Sequence, residues 1–156
     1  GSWNSLRKYD RPALLQINLN EDTATFVVIS ELDESQVVID LETTRTALPL
    51  TALDPSSFGG FMLLWRPPGK DVRIIDEGAR PESVLWLRRT LGRVPGYSVT
   101  DQTSPVYDTE LRTQVMRFQS SHGLEEDGIV GPETLIQLNT MLNNPGIPTL
   151  SRATRG

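Results

Sequence analysis

One stretch, residues 108–142, restricts the fold more than any other part of this chain. Leu111, Val115 and Phe118 recur at helical spacing, which predicts an apolar stripe along one helix face. Gln119 lies beside that stripe, suited either to a buried backbone hydrogen bond or to a groove contact. Gly123 stands where a left-handed C-cap is wanted, and Leu124 can fold back on the last turn as in a Schellman stop. Asp127-Gly128 is a turn signal, because Gly tolerates positive φ and Asp can bond the backbone two residues on. Gly131 then suits an N-cap, with Pro132 at the first helical position and Glu133 in the first turn, where the helix dipole favours an anion. Leu135, Leu138 and Leu142 carry the stripe of the next helix until Asn143-Asn144-Pro145-Gly146 ends it.

Ahead of this unit the pattern changes. Residues 13–19, 25–29, 36–41, 44–50 and 61–65 are short β-type runs separated by polar turns at Asn20-Glu21-Asp22 and Leu32-Asp33-Glu34-Ser35, with a helical turn expected near Leu53-Asp54. Five such runs about ten residues apart predict a mostly antiparallel, twisted sheet. The continuous apolar run Phe26-Val27-Val28-Ile29 further predicts a central strand covered on both faces. Pro67-Pro68-Gly69-Lys70 breaks the sheet, and Val72, Ile74 and Ile75 suit a short strand in an ordered connector rather than a bare linker. Pro81-Glu82 opens a further helix with Val84, Leu87 and Leu91 on one face as far as Gly92. Trp86 lies off that stripe, either to pack or to stand exposed as a ring for stacking on sugar. Pro95-Gly96-Tyr97 belongs to a long loop, so the first two of three helices are joined by a crossing. The expected class is α+β: a small, mostly antiparallel β domain over residues 3–68, a connector over 69–80 and a three-helix module over 81–146.

Bulk properties narrow the chemistry. Two domains of roughly 65 residues would each be marginal on their own. Gly1-Ser2 reads as a cloning remnant, so a fragment of a longer protein is expected. The net charge is −5 and no basic stripe carries interleaved aromatics, which speaks against a nucleic-acid partner. No apolar run reaches the roughly 20 residues of a membrane span. The chain has no cysteine, which removes disulfides, thiolate catalysis and Cys-based zinc sites. His122 is the only histidine and sits where a helix is expected to end, so a helix-end role is expected and no metal or other cofactor is. Glu125-Glu126-Asp127 reads as a solvated acidic turn, since no loop of alternating oxygen ligands surrounds it. Nothing selects a carboxylate pair for glycoside cleavage.

The run Val115-x-x-Phe118-Gln119-x-x-x-Gly123-Leu124-x-x-Asp127-Gly128-Ile129-Val130-Gly131-x-x-Thr134-x-x-x-Leu138 resembles the repeat of the small three-helix peptidoglycan-binding modules of cell-wall hydrolases and envelope proteins. The resemblance covers residues 81–144, and those modules contain an internal duplication. Here Val106-Tyr107-Asp108-x-x-Leu111 lies 23 residues before Ile129-Val130-Gly131-x-x-Thr134, although the first copy has Ser104-Pro105 where the second has Asp-Gly. The resemblance implies a peptidoglycan ligand, offering sugar hydroxyls, N-acetyl groups and peptide carboxylates. The turn Asp127-Gly128-Ile129-Val130-Gly131 would then present backbone N–H groups at a helix N-terminus to a carboxylate or acetamido oxygen. Tyr107 and Asp108 occupy the duplicated counterpart. The expected binding set is therefore Tyr107, Asp108, Gln119, Asp127, Gly128, Val130 and Gly131. For Asp127 the alternative is to cap its own turn, and for Gly131 to permit close helix contact.

The β half resembles the sheet of cysteine-peptidase-like domains related to bacteriocin-leader peptidases. Thr25 stands where that family carries its His, Asp40 roughly matches its Asp, and the cysteine-bearing helix has no counterpart. A thiol peptidase needs thiolate and base within hydrogen-bond reach. The resemblance thus implies a degenerate scaffold and no enzymatic activity. The order of the halves, with Trp65-Arg66-Pro67-Pro68 at their junction, resembles the periplasmic tail of the A component of the general (type II) secretion pathway, an inner-membrane ATPase. That resemblance implies a periplasmic location, help with assembly and placement of the outer-membrane secretin, and a B-component partner. Self-association stays open. A protein-interaction scaffold without wall affinity, the targeting module of a cell-wall hydrolase, or a remnant hydrolase are the alternatives.

Overall fold

The computed structural model describes residues 3–20, 23–41, 43–53, 58–67, 73–142 and 147–151. Several expectations fall outside them: the turn at Glu21-Asp22, Asp54, the break at Pro68-Gly69-Lys70, Val72, and the stop at Asn143-Asn144-Pro145-Gly146. The chain divides into two units, Gly1–Arg66 with Gly146–Gly156, and Pro67–Pro145.

The first unit runs α1 (Trp3–Tyr9), β1 (Ala13–Asn20), β2 (Thr23–Leu32), β3 (Gln36–Leu41), β4 (Thr44–Pro49), a 3-10 turn (Leu50–Ala52) and β5 (Phe58–Leu63). The strands form one five-stranded sheet in the order β4-β3-β2-β1-β5, antiparallel throughout. Register puts Ala13 opposite Ile29 and Leu15 opposite Val27, so these side chains share a face. Trp3 and Leu6 of α1, together with Leu150, complete the core on that side. Asp33 closes the β2–β3 turn, its Oδ1 accepting from the Ser35 and Gln36 N–H groups at 2.7 Å each.

Two expectations need correction. The Phe26-Val27-Val28-Ile29 run is not covered on both faces: Val27 and Ile29 are buried, but Phe26 is 58% exposed and Val28 only half-buried. The cover over this unit, α1 and Leu150, belongs to the core of one face, so the alternate residues of β2 look outward. The helical turn comes earlier than expected, at Leu50–Ala52. The α1 helix itself was not anticipated, although Trp3, Leu6 and Tyr9 are its buried residues at spacings of three.

The second unit holds α2 (Pro81–Leu91), α3 (Thr109–Ser121) and α4 (Pro132–Met141), so the chain adopts the expected α+β class. Its stripes are those read from the sequence: Val84, Leu87, Leu91, Leu111, Val115, Phe118, Leu135 and Leu138 are all buried. The end of α3 is a Schellman stop, with Gly123 at φ 62, Leu124 N–H donating to Gln119 O at 2.9 Å and Gly123 N–H to Ser120 O at 3.1 Å. His122 closes the same end, its ring stacked on Phe118 at 4.1 Å and Nδ1 2.8 Å from the Phe118 carbonyl. Ile75, fully buried, exchanges both backbone hydrogen bonds with Val130 at 3.0 Å, so part of the expected connector is built into the helical unit.

Candidate functional site

The turn between α3 and α4 is organised around one amide. Gln119 is 2% exposed; its Nε2 donates to Asp127 Oδ1 at 2.8 Å and Ile129 O at 2.9 Å, and its Oε1 accepts from Gly128 N–H at 2.9 Å. Buried amides need such partners, because an orphaned donor or acceptor costs about 1–3 kcal/mol. Asp127 Oδ1 also takes the Ile129 N–H at 2.8 Å, the bond two residues on that turn chemistry favours. Gly128 has φ 72, and a Cβ there would stand 2.8 Å from Arg112 Cγ, so the turn needs glycine twice over. Gly131 is the N-cap of α4, with Pro132 beginning the helix.

The duplicated counterpart precedes α3. Asp108 is its N-cap: Oδ1 accepts from Leu111 N–H at 2.9 Å, and Oδ2 meets the Arg88 guanidinium at 2.5 Å. The N–H bond and then the guanidinium hold its carboxyl below the usual carboxylate range. Arg88, wholly buried on α2, also donates to the carbonyls of Asp101 at 3.0 Å and Val106 at 2.8 Å. Tyr107 is buried and its hydroxyl donates to Gly128 O at 2.6 Å, which ties the two copies together. Burial pushes its phenol upward, so it stays a donor.

These contacts occupy the turn's own N–H groups. The N–H groups of Gly128, Ile129, Val130 and Gly131 donate to Gln119, Asp127, Ile75 and Ile129 respectively, and none is left for a ligand. A tight turn in a helical unit cannot leave its amides bare. Val130 and Gln119 are core residues, and Asp108 serves α3 and Arg88. What the turn offers is side chains in two hollows that flank it. One, about 310 Å³, brings Tyr107, Asp127 and Gly128 together with Asp76, Glu77 and Arg112. The other, about 160 Å³, places Gln119, Asp127 and Gly131 beside Glu133 and Thr134 at the start of α4.

Asp127 belongs to both hollows. Its Oδ1 is spent on the turn, while Oδ2 of this exposed residue has no partner among the described residues. Arg112, 47% exposed, meets Glu77 at 3.2 Å in an open ion pair of the kind that contributes little stability and yields readily to a competing ligand. The first hollow therefore offers a guanidinium donor and carboxylate acceptors for a polar, uncharged or zwitterionic ligand. The sequence reading missed Arg112, Asp76, Glu77 and Glu133. Arg112 is legible in hindsight only as the residue after Leu111, whose outward direction carries no sign of what it will meet. Among the described residues no group of three or more His, Asp or Glu side chains is arranged to hold a metal.

Three helices and a turn keyed by Gln119, Asp127 and Gly128 frame the site. Residues 80–138 match the family model of the peptidoglycan binding domain. The chain is 37% identical to general secretion pathway protein A of Aeromonas hydrophila over 87 residues, 56% of this chain and 16% of the relative. The corresponding protein of Escherichia coli is 31% identical over 80 residues, 51% of this chain and again 16% of the relative. This chain thus spans about a sixth of the curated relatives it matches. A periplasmic domain of the EpsAB fusion protein of the Vibrio vulnificus type II secretion system is similar in structure, with a TM-score of 0.56 and 25% identity over 90% of this chain and 61% of that one. The expected resemblance to the periplasmic region of general secretion pathway A proteins is borne out.

Proposed function

We propose that this chain is a non-catalytic, periplasmic part of a type II secretion protein that anchors its parent to peptidoglycan. The observation that carries the reading is the coincidence of the family match over residues 80–138 with the Asp127-Gly128 turn and its two side-chain-lined hollows. Tyr107, Gly128, Val130, Gln119 and Asp108 build the turn, and Asp127 and Arg112 meet the ligand: Arg112 a carbonyl or carboxylate oxygen, Asp127 Oδ2 a hydroxyl or amide N–H. The sheet unit acts as a support, since the chain has no cysteine and carries Thr25 at the position of the peptidase base. Wall attachment would hold the parent where an outer-membrane secretin is assembled, alongside a B-component partner.

The chain should sediment with purified sacculi, and Arg112→Ala should lower the affinity about tenfold, the value of one charge-assisted contact near 1.4 kcal/mol. A bound fraction equal to that of an inert control protein rejects wall binding. A second reading, a protein scaffold without wall affinity, draws on the fully satisfied amides of the turn. It predicts co-purification with envelope partners that survives Arg112→Ala, in the absence of sacculus binding.

A further inference from the structure

Away from the turn, α2 carries a hollow of about 410 Å³ that shares no lining residue with the two described above. It is lined by Trp86 and Leu85, both half-buried, by the buried Thr90, and by Glu82, Arg89 and Arg93, all exposed. Trp86 lies off the buried stripe of Val84, Leu87 and Leu91, so the core does not require an indole here. The two guanidiniums stand four residues apart and, among the described residues, form no side-chain hydrogen bond or ion pair. Both guanidiniums are open to an anion, with Glu82 the one carboxylate in the lining.

We propose that this face of α2 is a second subsite for the wall polymer, taking a sugar ring together with the carboxylates of its attached peptide. The inference rests on the peptidoglycan reading above and names the part of the ligand that reaches α2. A flat indole suits the C–H face of a pyranose ring. A guanidinium fork suits a carboxylate in two-point contact. Trp86 and Arg89 lie three residues apart on α2, roughly 5 Å along its axis, and Arg93 follows in the turn after the helix. In peptidoglycan the peptide is joined to the sugar through a lactyl ether, so ring and carboxylates arrive side by side in the same order. An acidic protein segment would satisfy the arginines but has no use for the indole.

The test is a titration of the isotope-labelled chain with N-acetylmuramyl tripeptide, followed at each backbone amide and at the Trp86 indole, beside the same compound with its carboxylates amidated. Shifts are expected at Leu85, Trp86, Arg89 and Thr90 as well as at residues 127–131, and the α2 set should vanish with the amidated compound. The double variant Arg89→Gln, Arg93→Gln should lose the α2 shifts and about tenfold in sacculus affinity while the turn shifts persist. Shifts at the turn alone would overturn the second subsite and leave wall binding intact. No shifts at either place would overturn both. Shifts on α2 with a ten-residue polyglutamate, and none with the muramyl peptide, would assign the face to a protein partner and overturn the subsite.

Discussion

At the scale of single residues, the site depends on side chains whose two ends serve different purposes. Gln119 uses its whole amide to close the turn, so Gln119→Leu leaves the Gly128 N–H without its acceptor and the Ile129 carbonyl without this donor. Urea unfolding of the helical unit should show a loss of about 2–3 kcal/mol. Gly128→Ala should cost about 1–2 kcal/mol from its left-handed backbone, with displacement of Arg112 added. Asp108 supplies a pH dependence. Its folded-state carboxyl lies below the ordinary value, so its stabilisation is present above the unfolded value near ~3.9 and is lost as pH falls through the folded one. Asp108→Asn should flatten part of the acid limb of the unfolding midpoint below about pH 4.

Among elements, the decisive residue of the module is one that the stripe on α2 does not announce. Arg88 sits beside Leu87 on the buried side of the helix and reaches Asp101, Val106 and Asp108, so it fixes the long crossing from α2 to the cap of α3. Its guanidinium is fully buried, whereas the Asp108 side chain is 42% exposed, so the pair is partly screened. Arg88→Met keeps the packing volume but strips three acceptors, and calorimetry should report a loss of about 2–4 kcal/mol. Helix ends were legible because caps are local: the Schellman stop, the Asp-Gly turn and the Gly131-Pro132 start each depend on a few neighbouring residues. Arg88 was not, because its partners lie 13 to 20 residues away. The same holds for Ile75, whose partner Val130 is on the far side of two helices in sequence.

For the molecule as a whole, the chain passes out of the sheet unit, builds the helices and returns. Leu150 is 1% exposed in the sheet core, its carbonyl accepts from Leu32 N–H at 2.9 Å, and Ser151 bonds Asp10 through its N–H at 2.7 Å and its hydroxyl at 2.9 Å. Leu150→Ala should therefore destabilise the sheet unit by about 2–4 kcal/mol. Hydrogen exchange should quicken in β1, β2 and β3 and stay unchanged in α2, α3 and α4. Equal acceleration in both units would show that they unfold as one body rather than separately.

The amino-acid sequence by itself determined the α+β class, the β-runs and the three helices of the module. These depend on periodicity and on caps, which a window of a few residues contains. Only the tertiary structure decided that one face of β2 stays open, that the N–H groups of residues 128–131 are taken up within the unit, and that Arg112 and Asp127 line one hollow. Each of those depends on which distant group arrives to satisfy or cover a residue, and pairing across long separations leaves no mark in the local order of side chains.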